Sequence, residues 1–248
     1  MSRLNLVYKW QSYTGDMDML GLREQFVLEC AKIPRIKSKL RVFAFTITFS
    51  TQVNYLTGNL NKIKDATKEI RESTKLVEIM QIILMMGNIL NAGTGGGSAR
   101  GFKLDCLEKL DDTYATGKDI TLLQFLCKVI AEQKPELLDF DKDLAHLQVA
   151  YKHKGQIRSV RQVKYAIVGG FEEVQQEFNA SANDGDVSAR FRKGLKSFLD
   201  SAGAQLQHLT SFFDEVDQYA DSLALYFTED PNRYPWEQGL LYFSMSRS

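Results

Sequence analysis

Residues 75–113, KLVEIMQIILMMGNILNAGTGGGSARGFKLDCLEKLDDT, constrain the fold more than any other stretch of the chain. Leu76, Ile79, Met80, Ile83, Met86 and Leu90 recur three and four apart, the spacing of one helical face. Ile82, Leu84, Met85 and Ile89 fill much of the opposite face. A helix that is apolar nearly all round has to be enclosed by other helices, so the pattern predicts a buried strut whose walls come from the rest of the sequence. The strut runs into Asn88, Asn91 and Gly93 and then into Gly95, Gly96 and Gly97, where helix propensity is lost and the backbone becomes free to turn. A second amphipathic segment over 102–110 follows, so periodicity alone gives a helix, a flexible turn and a helix.

The flanking sequence reads as helix almost throughout, in keeping with only four prolines among 248 residues. A helix is predicted over 21–32, broken at Ile33-Pro34 because the residue before proline avoids the helical region, with a new helix starting near Pro34. Arg35, Lys37, Lys39 and Arg41 alternate, which at helical spacing spreads the charges round the cylinder and favours a solvated face over a site for an acidic partner. Phe43, Phe45, Ile47 and Phe49 alternate as a strand would. With no second segment of that kind to pair with, a lone strand would leave its backbone unsatisfied, so this stretch too is read as helix. An amphipathic helix over 52–69 leads toward the strut, and another opens at Thr121 and is closed by Pro135. From 141 to 180, Leu144, Leu147, Ile157, Val160, Ile167 and Val174 fall mostly on one seam, which predicts a long coiled-coil-like helix weakened at Gly155, Gly169 and Gly170. The polar run at 181–186 breaks it, and a last helix is expected over 187–227 with Phe191, Leu195, Phe198, Leu209, Phe213 and Val216 inward.

Composition excludes several classes of function. With 31 basic and 31 acidic residues the net charge is zero, which offers no footprint for nucleic acid and none for an anionic membrane. The longest apolar run, 82–86, is too short to span a bilayer, and the opening MSRLNLVYKW lacks the apolar core of a signal peptide, so no membrane insertion and a cytoplasmic location are expected. Cys30, Cys106 and Cys127 sit in apolar helical patterns and read as buried thiols without a disulfide. Asp184-Gly185-Asp186 lacks the further carboxylates of a calcium loop and reads as a polar turn. His146, His153 and His208 have no partner at zinc-ligand spacing and read as surface residues. The 93–101 loop follows a helix rather than a strand and lacks the lysine and hydroxyl of a phosphate-binding loop. No nucleophile, base and orienting group stand together, so the chain reads as a binding module without cofactor, metal or catalytic residues.

Three linked blocks carry a resemblance. Gly87-Asn88-x-x-Asn91-x-Gly93, then Gly101-Phe102-Lys103-Leu104, then Leu107-x-Lys109-Leu110-x-Asp112-Thr113 is similar to the signature of the formin homology 2 domain, the actin-assembling module of formins. The likeness extends from Tyr13-Thr14-Gly15-Asp16 to Tyr226-Phe227-Thr228-Glu229-Asp230-Pro231 and on through Pro235 to Gln238, the last part resembling the closing motif of plant-type formins. It implies an all-α, elongated helical bundle in which 13–74 form the end of the knob and a connecting helix, 75–140 the post, and 141–238 a long bundle helix and the C-terminal helices of a partial domain over 1–248. In that family two subunits join head to tail, the N-terminal lasso of each wrapping the post of the other, and the ring holds actin at the filament barbed end. By resemblance, Gly87, Asn88, Asn91, Gly93, Gly101, Phe102, Lys103 and Leu104 belong to the surface that receives the lasso, and Lys109, Asp112 and Lys118 are candidate actin contacts. Glycines there would let a partner backbone come close, and asparagines offer both donors and acceptors.

The sequence departs from the family in two places. It is expected to begin partway through the domain, without the lasso, the linker and the first knob helices, with actin nucleation and elongation impaired accordingly. Tyr114 stands where the family usually has a lysine or arginine, and Lys118 follows one turn later. The expected partners are therefore actin and a second formin subunit, and the alternative function is an all-α adaptor scaffold without actin activity.

Overall fold

A computed structural model describes Gly15 and residues 20–107, 109–114 and 119–231. The described residues are helical: α1 (Leu22–Ala31), α2 (Ile36–Glu72), α3 (Thr74–Leu90), a single turn α4 (Lys109–Asp112), α5 (Leu122–Gln133), α6 (Ala145–Lys152), α7 (Lys154–Arg158), α8 (Val160–Ala180) and α9 (Ala189–Tyr226). Shorter 3₁₀ segments lie at Leu104–Cys106, Pro135–Leu144 and Ser181–Ser188. The chain divides into two compact units, one of Met1–Tyr55 with Gln162–Leu209, the other of Leu56–Arg161 with Thr210–Ser248. Among the described residues no single helix is long and apolar enough to cross a membrane.

In the first unit, Pro34 ends the approach from α1, and Arg35 turns the chain with φ 51° before α2 begins. The alternating stretch 43–49 lies inside α2, and its strand-like pattern resolves as two helical faces. Phe49 is buried and Phe45 half-buried against Phe198, with edge-on ring centroids 5.2 and 6.2 Å away, while Phe43 and Ile47 are exposed. Val42, Val174 and Leu195 form the centre of this unit's core.

Of the alternating basic residues, Arg41 is exposed as expected, but Arg35 and Lys39 turn to acidic partners. Arg35 donates to both carboxylate oxygens of Asp184, at 2.9 and 2.7 Å, and to Glu177 at 3.1 Å. Buried Lys39 reaches Asp184 at 2.6 Å, and Arg41 lies 3.5 Å from Glu173. The acidic partner is thus the chain itself, around a turn at Gly185 with φ 68°. The Arg35 guanidinium, then Lys39, holds the Asp184 carboxyl far below the usual carboxylate range. Burial pushes Glu177 up, but hydrogen bonds from Ser38, Arg35 and Ser181 outweigh it and leave its pKa lowered.

In the second unit, Leu56, Leu60, Ile63, Ala66 and Ile70 of α2 are fully buried. The separately expected helices from Pro34 onward are one continuous helix of 37 residues, stopped only where the Ser73 hydroxyl accepts the Leu76 N–H at 3.1 Å and caps α3. Ile79, Ile83 and Met86 pack with Leu110, Leu126, Ile130 and Leu137. Thr121 and Gln124 close a reciprocal capping box at the start of α5. Lys75 bridges Asp139 at 2.6 Å and Asp143 at 3.2 Å.

Three further expectations are corrected. Residues 102–110 do not make a helix: Leu104–Cys106 is one 3₁₀ turn and α4 one helical turn, because Phe102, Leu104, Leu107 and Leu110 all turn inward from a segment wrapped across the core. The seam over 141–180 is not one helix. It is interrupted at His153, whose backbone leaves the helical region at φ −103° and ψ 18°, and again at Ser159. The long helices are instead α2 and the 38-residue α9. Of the thiols expected to be buried, Cys30 and Cys106 are half-buried and Cys127 is exposed. His146 and His208 are surface residues, as expected.

Candidate partner-binding surface

The C-terminal half of α3 differs from the enclosed strut that its composition predicts. Leu76, Ile79, Ile83 and Met86 are buried, but Met85, Ile89 and Leu90 are 56%, 66% and 57% exposed. Among the described residues of this unit, only one face has walls. Met85 and Ile89, with Gln81, Leu84, Asn88, Ala92 and Gly97, line an open groove of about 510 Å³.

The loop that follows is folded rather than free. Asn91 closes α3 with its N–H on Gly87 O at 3.0 Å, and its own carbonyl accepts both the N–H and the hydroxyl of Thr94, at 3.0 and 2.8 Å. Gly93 sits at φ 85°, a left-handed conformation that ends helices and that side chains with a Cβ rarely adopt. At Gly97 a Cβ would lie 2.5 Å from Asn91 O, so only glycine lets the loop fold back this closely. Asn88 clamps the far side: its Nδ2–H donates to Ala99 O at 2.9 Å and its Oδ1 accepts the Ala99 N–H at 2.8 Å.

The expected site residues therefore have different placements. Asn88 is half-buried and spends its amide on the loop, whereas the exposed Asn91 side chain makes no hydrogen bond within the described residues. A Cβ on Gly87 or on Gly101 would meet nothing within 4 Å, so nothing in the chain itself requires glycine at either position. Phe102 is half-buried, Lys103 exposed and Leu104 buried. Lys109 is exposed with its Nζ 3.9 Å from Asp105, Asp112 is exposed, and Lys118 lies outside the described residues. Tyr114 is exposed, and the Thr113 carbonyl beside it accepts the Leu122 N–H at 2.8 Å.

Sequence reasoning missed Glu229. Although 3% exposed, this carboxylate accepts the Leu104 N–H at 2.9 Å from 125 residues away. Gly101, Phe102 and Leu104 on one side and Tyr226, Phe227 and Thr228 on the other flank a second groove of about 390 Å³, floored by Met80 and Leu84 of α3. The only signal for this pairing was the presence of both blocks in one chain. Among the described residues, no three histidine, cysteine or carboxylate side chains converge as a metal site would require.

The chain matches the family model described as Formin Homology 2 Domain over residues 4–243. It is 56% identical over 228 residues to formin-like protein 3 of Oryza sativa subsp. japonica and 52% identical to formin-like protein 14 of Arabidopsis thaliana. Both alignments cover 92% of this chain and 18% of the relative. Formin-like protein 21b of Arabidopsis thaliana is 46% identical, again over 92% of this chain and over 56% of its own length. The chain thus spans about a fifth of the first two relatives, and its own match runs nearly end to end. On that match, and on the helical fold that carries the three blocks, the chain belongs to the formin homology 2 domain family.

Proposed function

We propose that this chain serves as the actin-binding module of a formin, contributing to filament nucleation and to elongation at the barbed end, with its place in the cell on the actin cytoskeleton. In this reading residues 75–140 act as the post, 13–74 as the end of the knob and its connecting helix, and 141–238 as the bundle and C-terminal helices. The surface from Gly87 to Leu104 receives the lasso of a second subunit, and Lys109, Asp112 and Lys118 face actin. Family membership supports the actin assignment. The observation that carries the lasso assignment is the exposed apolar face of α3, Met85, Ile89 and Leu90, beside an Asn91 amide that makes no hydrogen bond among the described residues. Exposed aliphatic side chains next to unspent donors and acceptors are what an extended aromatic segment can cover.

The test is direct because the surface is not core. A fluorescein-labelled peptide bearing the lasso aromatics of a related formin should bind the parent chain, and Met85→Asp with Ile89→Asp should weaken binding about tenfold or more. Both side chains are more than half exposed, so the melting temperature should hardly change. Pelleting with actin filaments, run beside the anisotropy titration, checks the actin assignment. Equal affinity of parent and double variant would remove this face from the reading, and failure to pellet would count against actin contact.

A further inference from the structure

The geometry points to Glu229 as the positioning residue of the 390 Å³ groove at the Gly101–Leu104 end of the surface assigned to the lasso, the group that holds this wall in register with the C-terminal end of α9. This deepens the lasso reading above and rests on it. Leu104 opens a 3₁₀ turn whose preceding residue, Lys103, provides no side-chain cap. The missing acceptor comes from Glu229, whose Oε1 takes the Leu104 N–H at 2.9 Å. A helical start capped from a distant segment fixes the two segments to each other.

Glu229 is itself held rigidly. Thr228 N–H donates to Leu225 O and Glu229 N–H to Ala224 O, both at 2.9 Å, with Thr228 at φ 60°. That paired bonding with a left-handed residue is a Schellman closure of α9. The carboxylate therefore projects from a fixed helix end, and the residues just before it, Tyr226 to Thr228, form the facing wall of the 390 Å³ groove. One bond ties the two walls together.

As a bare structural tie the carboxylate is poorly employed. Its Oε2 is buried and has no hydrogen-bond partner among the described residues, and the Lys103 Nζ lies 3.9 Å away on a side chain that is 66% exposed. A half-satisfied buried carboxylate costs stability. Its bonded oxygen, by contrast, sets where Phe102 and Leu104 stand over α3, which decides the width a partner side chain meets.

Three variants test the assignment, each followed by amide exchange at Leu104 and by affinity for the lasso peptide. Glu229→Ala should speed Leu104 exchange and weaken the peptide about tenfold in protein that is still folded. Glu229→Gln keeps an acceptor at the Oε1 position, loses the charge opposite an exposed lysine and sets its NH2 where Oε2 already lacks a partner, so both readouts should return to within about threefold of the parent. Glu229→Asp keeps the charge but withdraws the acceptor by one methylene, and should resemble the alanine variant. If Glu229→Ala does not fold, the contrast between glutamine and aspartate still decides, since a role confined to charge would reverse their order. Rescue by glutamine supports the proposal. A parent that binds the peptide while the alanine variant binds equally well, or glutamine as damaging as alanine, overturns it and leaves the lasso reading standing. A parent that does not bind the peptide overturns the lasso reading and this assignment together.

Discussion

Thr228 adopts φ 60°, a conformation that a β-branched side chain enters only under constraint. The constraint is visible: its N–H and that of Glu229 close the last turn of α9 on Leu225 O and Ala224 O. Thr228→Gly should therefore stabilise the chain by about 1 kcal/mol, the left-handed penalty relieved being partly offset by the greater freedom of glycine when unfolded. A thermal melt reads this, and an unchanged or lower melting temperature would show that the turn carries no strain. Arg35, at φ 51°, is different because its side chain is bonded to Asp184 and Glu177, so removing it would lose more than strain. At this scale sequence pattern had little to offer. The periodicity that placed Ile83 and Val174 inward relates residues one or two turns apart, whereas the partners of Arg35 and Leu104 lie 149 and 125 residues away.

Among the elements, α3 shows where pattern succeeds and where it overreaches. Its 17 residues were legible as a helix, and of the face read as inward Leu76, Ile79, Ile83 and Met86 are buried, Met80 is half-buried and Leu90 is exposed. The expectation of full enclosure failed because apolar composition marks a face as needing cover without saying that the cover comes from the same unit. The seam over 141–180 was misread because the interruptions at His153 and Ser159 leave Ile157 and Val160 buried, so the apolar spacing carries on across the breaks. Residues 102–110 kept their apolar side chains inward without a regular helix to carry them. Gly87 lies within α3, where its Cβ would meet nothing within 4 Å. Gly87→Leu should then raise helix stability by about 1 kcal/mol, and if a partner backbone lies against this face it should weaken lasso-peptide binding about tenfold or more. Opposite signs in melt and titration would separate a partner-contact glycine from a merely tolerated one. A rise in stability with undiminished binding would place the partner elsewhere. Gly93 is a poorer probe, because at φ 85° any side chain strains the turn and would mix folding with binding.

For the whole chain, the titrating pairs set a pH range of greatest stability with limbs of different origin. On the acid side, Asp184 beside Arg35 and Lys39, and Asp139 beside Lys75 and Lys142, have pKa values lowered from the ordinary 3.8. A carboxylate with a lowered folded pKa contributes stability that is complete above its ordinary value and is lost as pH falls below it. On the other side, the His146 ring donates from Nδ1 to Glu69 at 2.6 Å when protonated, and that bond, with the charges of Glu69 and Asp65, raises its pKa above 6.5. The sign is then reversed: the stabilisation is complete below 6.5 and is lost as pH rises through the raised folded value. Glu69 also accepts the Leu147 N–H at 3.0 Å in the first turn of α6, and this second bond persists when His146 is neutral, so the alkaline loss should be partial. Melting temperature measured from pH 3 to pH 8 at roughly 0.1 M salt, where exposed pairs are screened but buried ones less so, should be highest between about 4.5 and 6.5 and decline on both sides. Asp184→Asn should flatten the acid decline and leave the alkaline one, and His146→Gln should do the reverse. A decline above 6.5 that survives His146→Gln would assign that limb to another group, and an acid limb unchanged by Asp184→Asn would mean that the buried pairing with Arg35 and Lys39 does not control it.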